Sequence, residues 1–427
     1  MAGKRSSAGA LGTIMNFKNI RYLNCRTIAR LASDPLYRTS LFMAFTNIFN
    51  AGCGFFFWMI AARLYTIEEV GMATGLISSL GLIILFSRLG FDSSIIRFIS
   101  SEDKKKVINT SLIVTTAGCI IAGIIYIFLA PSMLFPKEPI FALAFLLIGI
   151  VNSVAVIIGN AFIADRKADN YFLQNIFMAL RIPALAPLAF LGTFGIIGSV
   201  GLGYLAASFF SIIKLHRSIA TISPIVDKNY IRRSLKFSAW NYISSILSVA
   251  PTLIMPIMVL NIFGEAEAAK YYIAFAIGNL VLIIPNSFGT SLFVEGSHGE
   301  VLRKSVMHAA GASFILLLPS VLILSLFGDH LLGLLKSEYV DAFNLLKIIA
   351  LSSFPVVVYS LFVPIQNVKM KVKSIVKLNL LRCVLLLGLT YMLMMRYGII
   401  GAGYAWMITY VIIVIMVGYI VWREKWI

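Results

Sequence analysis

VIIVIMVGYIV, residues 411–421, carries no charge and no polar stripe, and neither does LLLPSVLILSL at 316–326. A helix on the surface of a soluble domain keeps a polar face at a 3.6-residue period. A helix apolar on every side is surrounded by hydrocarbon, and roughly 20 such residues cross a bilayer core. Working outward from these stretches, apolar windows fall at 41–63, 72–98, 107–130, 139–164, 172–194 and 195–213. A second set follows at 234–262, 271–294, 305–327, 343–367, 375–395 and 399–422. Only Gly192–Gly195 separates the fifth from the sixth. Of 427 residues 59% are apolar and 13% charged, with mean hydropathy +0.92, whereas about a quarter of a soluble domain is charged. The sequence therefore predicts an all-α integral membrane protein of about twelve transmembrane helices.

The net charge of +18 has a topological reading. Lys4, Arg5, Lys18, Arg21, Arg26, Arg30 and Arg38 lie in the N-terminal tail. Lys104–Lys106, Arg232, Arg233, Lys236, Lys369, Lys371, Lys373 and Lys377 lie in loops on the same side. The alternate loops hold Arg63, Lys137, Lys270, Lys336, Lys347 and Arg396. Basic residues gathered in alternate short loops mark the cytoplasmic side, where they meet anionic headgroups. Both termini are thus expected in the cytoplasm and the chain in the inner or plasma membrane, with membrane lipids and not nucleic acid as the basic partner. Residues 1–35 read as an uncleaved basic tail, too poor in apolar runs for a signal peptide.

Cys25, Cys53, Cys119 and Cys383 are far apart, and His216, His298, His308 and His330 have no ligand-like spacing. No metal site or cofactor is expected. Gly3-Lys4 is the sole Gly-Lys pair, so there is no GxxxxGK[ST] phosphate loop.

The chain repeats. A shift of 199 lays Leu64–Glu68 on Phe263–Glu267, Gly90 on Gly289, and Lys104-Lys105 on Arg303-Lys304. A shift of 203 lays Gly195-Ile196-Ile197-Gly198 on Gly398-Ile399-Ile400-Gly401, and near 195 Phe42–Phe45 meets Phe237–Trp240. Six spans per half is an even number, so both halves enter the membrane alike. A two-fold axis along the membrane normal then relates residues 36–217 to 234–427, with 218–233 as a cytoplasmic linker and the substrate between the halves.

Two segments carry a resemblance: Tyr65-Thr66-Ile67-Glu68-Glu69-Val70-Gly71, and Leu89-Gly90-Phe91-Asp92-Ser93-Ser94-Ile95-Ile96-Arg97-Phe98. They resemble the first-hairpin signature of the polysaccharide biosynthesis flippases. These are the Wzx-type lipid-linked oligosaccharide translocases of the multidrug/oligosaccharidyl-lipid/polysaccharide exporter (MOP) superfamily. The GIIG openings of the sixth and twelfth spans are similar too. The resemblance implies a V-shaped pair of six-helix bundles with alternating access. The first, second, seventh and eighth helices would line the cleft. The implied cargo is a polyprenyl-diphosphate-linked oligosaccharide, with glycosyltransferases or a polysaccharide polymerase as partners.

Such a cargo calls for guanidinium groups that grip phosphate and for a wet cleft that takes sugars. Arg181 lies about nine residues, roughly 13 Å, into the fifth span, with Pro183 and Pro187 after it. It is read either as a phosphate ligand or as an arginine satisfied by carbonyls freed at a proline kink, or snorkelling. Arg382, in the equivalent eleventh span, and Arg88 in the second are further candidate substrate ligands, with snorkelling the favoured reading for Arg382, five residues past Lys377. Arg88 and Asp92, four apart, can pair, and Arg97 reads as an interfacial anchor. Asn47 and Asn50 form a polar strip with Thr46, Asn241 aligns with Thr46, and Asn279 and Asn286 share a face seven apart. Interhelical hydrogen bonds would account for them, but cleft lining is the favoured reading, because the first, second, seventh and eighth helices line it in the fold the resemblance implies. Asp92 and Glu295 are the candidate coupling carboxylates. The Gly71–Gly75 spacing reads as helix packing.

A cation-coupled multidrug exporter of the same superfamily is the alternative, and the lack of acidic residues in the first and seventh spans weighs against it. An integral-membrane polymerase or glycosyltransferase would need a large outer loop with catalytic groups. The longest here is about Gly328–Asp341 and shows no such constellation.

Overall fold

Thr66 closes the first turn. Its hydroxyl accepts from the Glu69 N–H at 3.3 Å, and the Glu69 carboxylate accepts from the Thr66 N–H at 2.9 Å. This reciprocal cap ends α1 (Pro35–Leu64) and starts α2 (Ile67–Ser87) within two residues. The computed structural model describes residues 35–129, 139–297 and 302–423. After α2, Leu89 (φ 47°) and Gly90 (φ 80°) turn the chain into the short α3 (Phe91–Phe98). The first half continues with α4 (Lys104–Leu129), α5 (Pro139–Ala164), α6 (Ala168–Met178), α7 (Arg181–Ala184) and α8 (Thr193–Ser218). The second half holds α9 (Lys228–Phe263), α10 (Glu265–Val281), α11 (Ile283–Ser297) and α12 (Leu302–Gly333), then α13 (Phe343–Val368), α14 (Val372–Tyr397) and α15 (Ile400–Arg423). There is no strand among the described residues.

Among the described residues eleven helical stretches are long and apolar enough to cross a membrane, one fewer than the windows predict. The difference is the fifth, 172–194, which is broken into α6, α7 and a 3-10 turn at Ala189–Leu191. Pro183 and Pro187 have no N–H to donate and crowd the preceding turn, which favours a break there, although α9 and α13 each run on through two prolines. The Leu185 carbonyl inside this segment accepts the buried Tyr65 hydroxyl at 2.7 Å. The broken segment still crosses the molecule. At one end Asp165 meets Lys104 (2.5 Å) and Lys167 (2.8 Å). At the other the Thr193 hydroxyl donates to the Glu69 carbonyl at 3.4 Å. Burial alone would raise the Asp165 pKa, but the hydrogen bonds from Lys104 and Lys167 outweigh it and hold the carboxyl below its ordinary value. The eighth window is also interrupted, at Leu282 between α10 and α11.

The halves meet along α2. Gly71 lies against the Glu265 carbonyl so closely that a methyl group there would collide with it, and one on Gly90 would strike the Ser238 side chain. Missing side chains thus let α2 run against α10 at one face and α9 at the other. The basic face gains an Arg233–Glu102 ion pair at 2.9 Å and Phe98–Phe237 ring packing at 5.6 Å. At the opposite face Arg63 donates twice to the Leu334 carbonyl, at 2.9 and 3.1 Å, and the Lys336 ammonium donates to the Tyr65 carbonyl. By contrast no extensive packing joins α1 and α11 among the described residues.

The last spans of the two halves start alike, three residues away from the register that the GIIG alignment predicts. Gly192 (φ 57°, ψ −135°) and Gly398 (φ 60°, ψ −151°) share a conformation that only glycine holds without strain. Gly195 and Gly401 follow, each donating three residues back, at 2.8 and 3.0 Å, and each pressed against a carbonyl of the preceding segment. Gly192 therefore corresponds to Gly398 and Gly195 to Gly401. Backbone conformation, which identical letters do not reveal, sets the correspondence.

Candidate functional site

Between the halves lies a cavity of about 410 Å³, midway along the spans. Its walls come from α1 (Asn50, Trp58), α2 (Ser78), α9 (Thr252), α10 (Tyr272, Phe275, Asn279) and α15 (Trp406). The polar groups are amides and hydroxyls, and the rest of the surface mixes aromatic rings with aliphatic side chains. Trp58 packs against Tyr272 at 4.5 Å with the rings tilted 54° and so bridges the halves, while Phe275 meets Trp406 at 5.2 Å. Asn50 donates to the Asn175 side chain of α6 at 2.8 Å, and its own oxygen is buried without a partner. Amide edges beside aromatic faces are what a sugar ring binds: hydrogen bonds for its hydroxyls, flat apolar surface for its C–H faces.

Arg181 opens α7, immediately after the break in the fifth segment. Its guanidinium lies 5.3 Å from the centre of the Phe57 ring and within electrostatic reach of Cys53 and the cleft residue Tyr272. Its Nε is buried with no hydrogen-bond partner. Carbonyls freed by the prolines were one expected way to satisfy it, yet Nε reaches none of them among the described residues. Arg181 is thus held by packing, with donor capacity left over.

Arg382 overturns the snorkelling expectation. It is 6% exposed, about ten residues into α14, and turns inward. One terminal nitrogen donates to the Tyr410 hydroxyl at 2.9 Å, the other to the Ser248 carbonyl at 2.5 Å and hydroxyl at 3.2 Å. The guanidinium stacks on Tyr359 at 4.7 Å. Neutral acceptors on α9 and α15 offer it more than the distant interface does.

The other predicted residues divide. Asn50 and Asn279 line the cleft. Asn47 is exposed on α1 and is not part of that lining. Asn286 accepts from the Ser360 hydroxyl at 3.0 Å, a bond within the second half. Asn241 lines a different cavity, between α9, α13 and α14. Arg88 and Asp92 do pair, at 3.9 Å, across the turn between α2 and α3. Arg97 is exposed. Glu295 lies on α11, with its side chain outside the described residues.

The profile of the polysaccharide biosynthesis protein family matches residues 36–293. The chain belongs to that family. No curated protein matches the sequence. Among solved structures, an inward-facing multidrug resistance MATE family transporter of the MOP superfamily aligns at TM-score 0.68 and 16% identity, over 89% of this chain and 95% of its own. The lipid II flippase MurJ in an inward closed conformation aligns at TM-score 0.69 and 16% identity, over 90% of this chain and 87% of its own. An outward-facing MATE family transporter aligns at TM-score 0.62 and 14% identity, over 91% and 95%. These likenesses show the MOP fold, a multi-pass membrane architecture.

Sequence reasoning missed most of the cleft of this polysaccharide biosynthesis protein. Trp58, Tyr272, Phe275 and Trp406 stand in runs where any aromatic reads as lipid-facing. Trp58 and Trp406 are in fact 8% and 4% exposed. The usable signal was that Trp58 and Trp406 sit well inside their spans, away from the interfaces where tryptophan collects.

Proposed function

We propose that this protein carries a polyprenyl-diphosphate-linked oligosaccharide from the cytoplasmic to the outer leaflet by alternating access. The observation that carries the reading is the pairing of an amide- and aromatic-lined cleft with Arg181, an arginine at mid-depth that retains an unbonded buried donor. Membership of the polysaccharide biosynthesis family supports a glycan cargo, and the shared fold with the lipid II flippase MurJ supports a lipid-linked one. The basic face is assigned to the cytoplasm by the positive-inside rule, which puts both termini there and the chain in the inner or plasma membrane. Contacts of Arg63, Lys336 and Gly71 close the opposite face, and no extensive packing joins α1 to α11 among the described residues. Cargo would then enter from the cytoplasmic side between those two helices, its prenyl tail staying in lipid. Glycosyltransferases would supply it and a polymerase or ligase consume it.

An aromatic cleft also suits an organic cation, the cargo of a cation-coupled drug exporter. That reading lacks a carboxylate on α1 or α9, neither of which has one. The deciding experiment uses purified protein in liposomes loaded with lipid-linked oligosaccharide, scoring exposure of the glycan to a lectin on the far side. Lectin access that rises only with the protein present supports the proposal. Access at the protein-free rate, together with gradient-driven uptake of an organic cation, rejects it.

A further inference from the structure

Arg382 raises a question of charge. Taking a guanidinium out of water is costly unless it is compensated, and Arg382 is buried with neutral partners only. The surrounding helices cannot neutralise it: α9, α13, α14 and α15 contain no Asp or Glu at all. The positive charge therefore extends to whatever its hydrogen bonds reach.

They reach a cavity. About 280 Å³ lies between α9, α13 and α14, apart from the central cleft. Asn241, Ser244, Ser245 and Ser248 line it from one face of α9, at the i, i+3, i+4, i+7 spacing of a helical stripe. Tyr359, Asn367 and Asn379 face them. The hydrogen bonds between these groups run in one direction. Arg382 donates to Ser248, and its guanidinium lies over the Tyr359 ring, 4.7 Å from the centre. Tyr359 donates to the Asn379 oxygen at 2.6 Å, and the Asn379 amide donates to the Ser244 hydroxyl at 3.0 Å. The Ser244 oxygen is an acceptor in this chain, so its proton is left to donate, and the chain polarises it with the guanidinium behind. Asn367 and Val372 are joined by the basic connection Lys369-Met370-Lys371, which draws anions to the same end.

We infer that this cavity of the second half is an oxyanion site of the phosphate class, with Ser244 as the terminal donor and Arg382 as its buried charge. It stands apart from the transport reading, since it uses no residue of the central cleft except through the shared helix α9.

The test uses full-length protein with its four cysteines replaced and Ser245→Cys introduced, in phosphatidylcholine nanodiscs. The new thiol is titrated with negatively and positively charged methanethiosulfonates, with inorganic pyrophosphate as competitor. The negative reagent should react faster than the positive one. Pyrophosphate at ten times its dissociation constant should slow the reaction about elevenfold, and Ser244→Ala or Arg382→Lys should abolish that protection while the size-exclusion profile is kept. Protection in phosphatidylglycerol nanodiscs without pyrophosphate identifies a lipid headgroup as the source of the phosphate; protection by pyrophosphate alone identifies a free or cargo phosphate. Pyrophosphate no better than chloride at equal ionic strength, with no protection in phosphatidylglycerol discs, overturns the inference, as does protection that survives both variants.

Discussion

Replacing Arg181 with glutamine separates cargo binding from folding. Among the described residues Arg181 Nε has no hydrogen-bond partner, and the guanidinium packs over the face of Phe57 at 5.3 Å, near Cys53 and Tyr272. Losing that stacking costs about 0.5–2 kcal/mol, so expression and the solubilised melting profile should be nearly unchanged. A phosphate held by the guanidinium is a different matter, because a charge-assisted hydrogen bond contributes about 1.5–3 kcal/mol. At 1.4 kcal/mol per tenfold, Arg181→Gln should weaken lipid-linked oligosaccharide binding about 12- to 140-fold. Arg181→Lys keeps the charge, loses the planar fork, and should fall between. Arg382→Gln is the control: it leaves Ser248 and Tyr410 short of their donor inside the bundle, so it should lower the melting temperature clearly. Lectin-scored translocation in liposomes and cargo binding in detergent read both variants. Wild-type binding and transport by Arg181→Gln would refute the phosphate role and leave Arg181 as a packing residue.

Three further outcomes follow from the same geometry. Cysteines placed at Glu68, Lys137, Glu265, Glu338 and Arg396 should label from outside intact cells and those at Lys105, Lys228 and Lys371 should not; outside labelling at Lys105 would reverse the orientation. The double variant Arg63→Ala with Lys336→Ala removes the bonds that tie the α1–α2 turn to the Leu334 region. It should raise labelling of a Ser78→Cys cleft thiol from the outer side roughly tenfold or more, taking at least 1.4 kcal/mol from the closed state; unchanged access would mean that α2–α10 packing alone closes that face. Moving two negative charges outward gains on the order of 4–5 kcal/mol per 100 mV, inside negative. A potential of that sign should therefore speed translocation and its reversal slow it, whereas dependence on a sodium or proton gradient alone would turn attention to Asp92 and Glu295.

The spans were legible because the lipid imposes a one-dimensional rule: a segment inside it must be apolar for about 20 residues. The α2–α3 bend was not, although Leu89-Gly90 stands inside the quoted signature, because a hydrophobic window runs straight through a two-residue reversal of φ. The tight approach of Gly71 to Glu265 was legible only as generic helix packing; which helix comes close depends on the other half. Within the cleft, Asn50 and Asn279 were found because an amide in an apolar run is conspicuous. Trp58, Tyr272, Phe275 and Trp406 were hidden because an aromatic ring is at home in lipid and in a binding site alike.

Arg181 and Arg382 mark where sequence ends and tertiary structure begins. Sequence by itself determined that both are arginines within corresponding spans of a polytopic chain with one basic face, Arg181 the deeper, since hydropathy and loop charge are properties of single segments. Their opposite fates were decided by neighbours brought in from elsewhere in the chain. Ser248 and Tyr410, from α9 and α15, bind the guanidinium of Arg382 and hold it inside the bundle. Beside Arg181 the described residues offer the face of Phe57 but no hydrogen-bond acceptor for Nε. A charge in a low-dielectric interior takes its role from the acceptors within about 3 Å, and those are chosen by the fold.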